Sequence, residues 1–111
     1  MAAWNYLLLK GYKLLEKNFR CALGEIDVIA ERENRLVFLE VKTRSSHNFG
    51  RPEEAVGPEK QRKLIQLAQL YLKSRNRTGP ISFDVLSITW KLPGAPQFCL
   101  IKDAFDLPDI S

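Results

Sequence analysis

Histidine, methionine and cysteine are nearly missing from this chain of 111 residues, which holds one, one and two of them. The lone His47 leaves no Ser–His or Cys–His pair to carry nucleophilic catalysis. Cys21 and Cys99 are single, far apart and in no metal-type spacing. They are expected to be reduced, partly buried thiols of a cytoplasmic protein. No apolar run approaches the roughly 18–20 residues that cross a bilayer. Between Met1 and Tyr12 there is no cationic leader followed by a small-residue cleavage site, so no signal peptide is expected. Trp4, Trp90 and the tyrosines form no aromatic ladder, which argues against a single-strand stacking platform. Repeats, linkers, zinc modules and helix-turn-helix signatures are absent from the sequence as well.

What is present suits one globular domain over residues 1–111, long enough to bury a core without disulfide staples. The net charge of +4 and a pI near 9.2 permit a polyanionic partner without demanding one. Ala2 to Lys10 is Leu-rich and free of breakers, so a helix ending at Gly11 is expected. Tyr12 to Cys21 reads as a strand. Gly24 to Glu31 alternates, with Ile26, Val28 and Ala30 on one side and Glu25, Asp27 and Ile29 on the other. The polar run Glu31 to Arg35 is a hairpin turn.

Leu36 to Thr43 carries the strongest strand pattern. Leu36, Phe38, Glu40 and Lys42 share one face, and Val37, Leu39, Val41 and Thr43 share the other. Both faces begin apolar, as in a central strand covered on both sides, and polarity appears on one face only at the C-terminal end. Arg44 to Gly57 reads as a loop, with room for a helical turn at Glu53 to Val56. Pro58 to Arg75 is a helix with Leu64, Leu67, Ala68, Tyr71 and Leu72 inward. After the breaker Asn76 to Pro80 come strands at Ile81 to Trp90 and Phe98 to Asp103, separated by a Pro/Gly turn over Leu92 to Gln97. The fold expected is α/β, in the order αβββαββ.

The chemistry lies where acids enter apolar strands. An isolated charge there costs several kcal/mol, which pairing or a metal ion offsets. Glu25 with Asp27, and Glu40 with Lys42, are same-face pairs on strands joined by a short turn, so their acidic ends could converge. Asp27 and Glu40 are candidate ligands for Mg²⁺ or Mn²⁺, with the Val41 carbonyl as a third, since hard cations prefer oxygen. Such a cation polarises a phosphoryl oxygen and lowers the pKa of water. Lys42 would orient that water or neutralise charge on the phosphate. Acids and lysines at strand ends are commonly surface ion pairs worth about 0–1 kcal/mol. The second acidic strand, placed across a hairpin, is what favours a site.

These residues carry a family resemblance. Lys10-Gly11-Tyr12, Asn18-Phe19-Arg20, Gly24 to Ala30, Leu36 to Arg44, Phe49-Gly50, Pro52 to Val56, Lys60, Phe83-Asp84-Val85 and Ala104-Phe105 resemble the YraN-like family of small bacterial proteins. That family is similar in fold to archaeal Holliday-junction resolvases and to the PD-(D/E)XK nucleases. The resemblance implies a restriction-endonuclease-like fold, a central mixed sheet flanked by helices. It also makes Asp27 the acid of the first motif, with Glu40 and Lys42 the second acid and lysine, and Glu25 an auxiliary acid. Lys60 and Gln61 fall where related nucleases place a residue facing the site; a solvated helix face is the competing reading. Family members usually carry a glutamate before the Ala-Ala of the first helix. This chain begins Met1-Ala2-Ala3 and lacks that glutamate, so the expectation is either a first helix truncated relative to the family or a site that works with fewer acids.

Arg44, Arg51, Lys60, Arg62, Lys63, Arg75 and Arg77 flank the site, a pattern for salt-dependent, largely sequence-independent contact with phosphates. The expectation is a metal-dependent endonuclease acting on structured or branched DNA, with a homodimer suiting four-way junctions. The rival is a catalytically silent nucleic-acid-binding protein on the same fold, and a third reading is a structural or protein-interaction domain.

Overall fold

The computed structural model describes residues 2–45, 56–90 and 94–105. Its elements follow in the order α1 (Ala2–Leu9), β1 (Lys13–Cys21), β2 (Gly24–Arg32), β3 (Arg35–Ser45), α2 (Pro58–Ser74), β4 (Ile81–Trp90) and β5 (Gln97–Ile101). The five strands form one mixed sheet in sequence order. β3 and β4 are parallel and the other pairs antiparallel. A parallel pair needs a crossover, and α2 supplies it.

The two helices cover opposite faces of the sheet. Leu64, Leu67, Ala68 and Tyr71 of α2 pack with Phe38, Phe83 and Val85. Ala3 and Leu7 of α1 pack with Val28, Ala30, Val37, Leu39, Leu86 and Ile88. β3 therefore sends Leu36 and Phe38 to α2 and Val37 and Leu39 to α1, the division its period-2 pattern implies.

Local chemistry sets the boundaries. Both helices end in a Schellman turn. After α1, Tyr12 N–H donates to Leu7 O and Gly11 N–H to Leu8 O, with Gly11 at φ 93°. After α2, Arg77 N–H donates to Leu72 O and Asn76 N–H to Lys73 O, with Asn76 at φ 49°. Arg32 pairs with Arg35, and the residues between them, Glu33 and Asn34, both have positive φ. That is the two-residue type I′ geometry whose twist matches the flanking strands.

The alternation expected in β2 breaks. Val28 and Ala30 face α1, but Ile26 joins Ile29 on the α2 side. The cause lies in the neighbouring strand. Lys17 pairs with Val28 and Phe19 with Ile26, and Asn18 between them adopts the left-handed conformation at φ 57°. This twist turns Phe19 against Tyr71 of α2, and Ile26 follows its partner. The thiols also differ from expectation. Cys21 and Cys99 are exposed because they lie on the two edge strands. β3 continues through Arg44 and Ser45, which pair with Thr89 and Trp90, so the loop begins later than the sequence implied. Arg51 and the helical turn expected from Glu53 fall mostly outside the described residues, although Val56 is buried.

Candidate active site

Asp27, Glu40 and Lys42 lie together along the C-terminal half of β3. Side chains two apart on a strand point the same way, so Glu40 and Lys42 follow Phe38 towards α2. Glu40 is 6% exposed. Its Oε1 lies 3.5 Å from Lys42 Nζ and 3.5 Å from Lys60 Nζ, the latter reaching down from the first turn of α2. Its Oε2 is buried and has no hydrogen-bond partner among the described residues. Burial, and then the Asp27 carboxylate nearby, push the Glu40 pKa up. Lys60 and Lys42 pull the other way without prevailing.

Asp27 comes to the same place by a different route. The β2–β3 ladder begins at Val28 and Leu39, and where it would continue, the Asp27 side chain takes over. Asp27 Oδ2 accepts the Val41 N–H at 2.8 Å. A carboxylate thus replaces a backbone partner, which fixes its position against β3 and leaves Oδ1 without a hydrogen bond among the described residues. The donor set at this end is oxygen from Asp27 and Glu40, with two lysines beside it.

The structure does not bring every expected residue here. Glu25 pairs with Arg20, its neighbour across the β1–β2 register, at 2.9 Å. Arg62 and Lys63 are exposed on α2, and Lys63 lines a shallow cleft with Lys60. Arg75 and Arg77 hold Glu16 and Glu31 at 2.7 and 3.1 Å, bracing α2 and its exit against β1 and β2. Arg44 lies on β3, paired in register with Thr89 of β4. Gln61, rather than facing the acids, donates from Nε2 to Val56 O at 2.9 Å.

A second buried acid was not singled out from the sequence. Asp84 pairs in register with Leu39, next to Glu40, but points to the opposite face. Tyr12 Oη donates to its Oδ2 at 2.7 Å, and Ser82 Oγ and the Asp103 N–H donate to its Oδ1 at 2.6 and 3.0 Å. The hydrogen bond to Asp84 and burial push the Tyr12 pKa up, burial being the larger cause. Tyr12 and Asp84 are 72 residues apart, so no local pattern records the pairing, and the one signal is a lone acid inside the apolar run Ile81 to Ile88. Glu16 also has an orphaned oxygen, Oε2, but that carboxylate is one-third exposed and held by Arg75.

Comparison with known proteins gives a consistent outcome. The model of the uncharacterised protein family UPF0102 matches residues 1–88. A UPF0102 protein of Caldanaerobacter subterraneus is 52% identical over 87 residues, which cover 78% of this chain and 71% of the relative. One from Syntrophomonas wolfei is 55% identical over 87 residues, covering 78% and 76%. A third, from Clostridium botulinum, is 44% identical over 108 residues, covering 95% and 88%. Asp27, Glu40, Val41, Lys42 and Lys60 all lie within the matched span, and this chain belongs to the UPF0102 family.

Proposed function

We propose that this protein is a metal-dependent endonuclease of the PD-(D/E)XK type, with a restriction-endonuclease-like fold, acting on structured or branched DNA. The observation that carries the reading is Glu40 Oε2, a buried carboxylate oxygen without a partner among the described residues and beside a second carboxylate. Leaving such an atom unsatisfied costs about 1–3 kcal/mol. A divalent cation removes that cost, and an all-oxygen donor set suits Mg²⁺ or Mn²⁺. Asp27, Glu40 and the Val41 carbonyl are the residues that would hold it. When bound, the ion polarises a phosphoryl oxygen and makes water a nucleophile near neutral pH.

The protein's own part is positioning and charge. The Val41 N–H fixes Asp27. Lys42, one-third exposed and beside Glu40, is placed to stabilise negative charge developing on the phosphate. Lys60 adds a second cation at the α2 side of the site and, with Lys63, Arg62, Arg44 and Arg51, offers contacts to the DNA backbone. Glu25 is an auxiliary acid in this reading only if it leaves Arg20. A two-fold pair of chains would place two such sites on a four-way junction.

One observation favours a second reading, a DNA-binding protein without turnover. Among the described residues no group of three or more His, Cys, Asp or Glu side chains gathers as a metal cluster. Incubating the protein in excess with labelled four-way junctions, flaps and single strands separates the two. Cleavage that requires Mg²⁺ or Mn²⁺ and disappears in Asp27→Asn and Glu40→Gln supports the nuclease. Salt-sensitive binding without cleavage in either metal supports the silent protein.

A further inference from the structure

The Asp27 carboxylate also borders a cleft on the opposite, α1 side of the sheet. This cleft, of about 210 Å³, is lined by Lys17, Asn18, Asp27, Val28 and Val41. Three features suggest a site prepared for a ligand. Asn18 holds φ 57° in the interior of a strand, a left-handed conformation that asparagine tolerates and that interrupts the regular alternation of β1 at the cleft. Its carboxamide forms no hydrogen bond among the described residues. Lys17 is exposed, and its ammonium sits 5.6 Å from the centroid of the Trp4 ring of α1, which limits where that charge can go.

An ammonium and a carboxamide beside a carboxylate suit an anionic group whose neighbour is bound at Asp27. We infer that Lys17 and Asn18 form a subsite for a phosphate flanking the scissile one, so that the DNA backbone crosses the end of the sheet. Lys60 and Lys42 then serve the α2 side, and Lys17 and Asn18 the α1 side. Lys17 Nζ and Asn18 Nδ2 donate to the phosphate oxygens. This inference rests on the nuclease reading and adds contacts that it does not require. Contacts to a flanking phosphate are the same in the ground and transition states, so they act on KM and leave kcat alone.

Asn18 also has a structural role, since its twist sends Phe19 and Ile26 into the α2 core, and the test must separate the two. Glycine adopts positive φ freely, so Asn18→Gly keeps the twist and removes only the carboxamide. Lys17→Ala leaves the backbone untouched, and Lys73→Ala, exposed on α2, controls for the loss of one positive charge. Each protein is assayed on a labelled four-way junction with Mn²⁺, with its melting temperature recorded. The expected result is a roughly tenfold rise in KM for Asn18→Gly and for Lys17→Ala, with kcat and melting temperature near wild type and Lys73→Ala unchanged. An unchanged KM in Lys17→Ala or in a folded Asn18→Gly overturns the subsite while leaving the nuclease intact. So does a fall in kcat at constant KM, which would mean that Asn18 acts through Asp27. If the wild type binds the junction without cutting it, the same tenfold change is read in Kd. If it neither binds nor cuts, both readings fall.

Discussion

Glu40 and Asp84 are both buried carboxylates on neighbouring strands, and the protein treats them in opposite ways. Asp84 receives a phenol, a hydroxyl and a backbone N–H, so its charge is satisfied from within. Among the described residues, Glu40 has one oxygen without a partner and two partly exposed lysines near the other. A fully bonded acid holds the fold together, whereas the underbonded one suits the cation seat proposed above. Two outcomes follow at this scale. Tyr12→Phe removes a donor from a buried charge and should cost about 1.5–3 kcal/mol in urea denaturation at neutral pH. A loss under about 0.5 kcal/mol would show that water replaces the phenol. Glu40→Gln should act in the opposite sense, stabilising the metal-free protein by on the order of 1 kcal/mol at pH 7. In a domain of this size that is a rise in melting temperature of about 4 °C. The folded-state pKa of Glu40 lies above its ordinary 4.5, so folding favours the neutral acid. Its contribution is complete below pH 4.5 and is lost as the pH climbs through the raised value. The advantage of Glu40→Gln should therefore shrink on acidification, and melting curves with EDTA between pH 4 and 8 would reveal a constant difference if the burial argument is wrong.

At the scale of elements, turn and cap chemistry decides where each piece stops. Asn76 ends α2 in the left-handed region without being glycine. Asn76→Gly should be neutral or slightly stabilising, and Asn76→Ala should cost about 1 kcal/mol. Equal melting temperatures for the two variants would mean that the cap contributes nothing. The same physics explains what was legible in the sequence. The faces of β3 followed from a period-2 pattern that covers both sides of the strand, and Glu40 and Lys42 were placed with it. α2 was equally clear, because its apolar stripe and Pro58 leave little choice. The alternation of β2 does not hold at Ile26, since a single left-handed residue in β1 moves it to the other face, and no pattern within β2 records that. The Tyr12–Asp84 bond joins α1's exit to β4 and exists only after the sheet is assembled. For Lys60 the sequence pattern allows both a solvated helix face and the site, and only the packing of α2 on the sheet puts its amine 3.5 Å from Glu40.

For the molecule as a whole, the sheet end formed by β2 and β3 gathers cations on both faces around two acids. Lys17 approaches from one side, Lys42 and Lys60 from the other. A net charge of +4 then favours a polyanion at this end without fixing its sequence. DNA binding should weaken steeply with salt, and Lys60→Ala should reduce the slope of log affinity against log salt by about 1. A slope unaffected by that change would take Lys60 off the DNA path. Among the described residues no helix is long and apolar enough to cross a membrane. The central claim is that Asp27 and Glu40 form a seat for a divalent cation, and isothermal calorimetry tests it without any substrate. Titrating Mn²⁺ into the intact chain should give one saturable site per chain, abolished by Asp27→Asn and by Glu40→Gln and accompanied by a higher melting temperature in the wild type alone. Heat no different from dilution in the wild type, or equal binding by all three proteins, would contradict it.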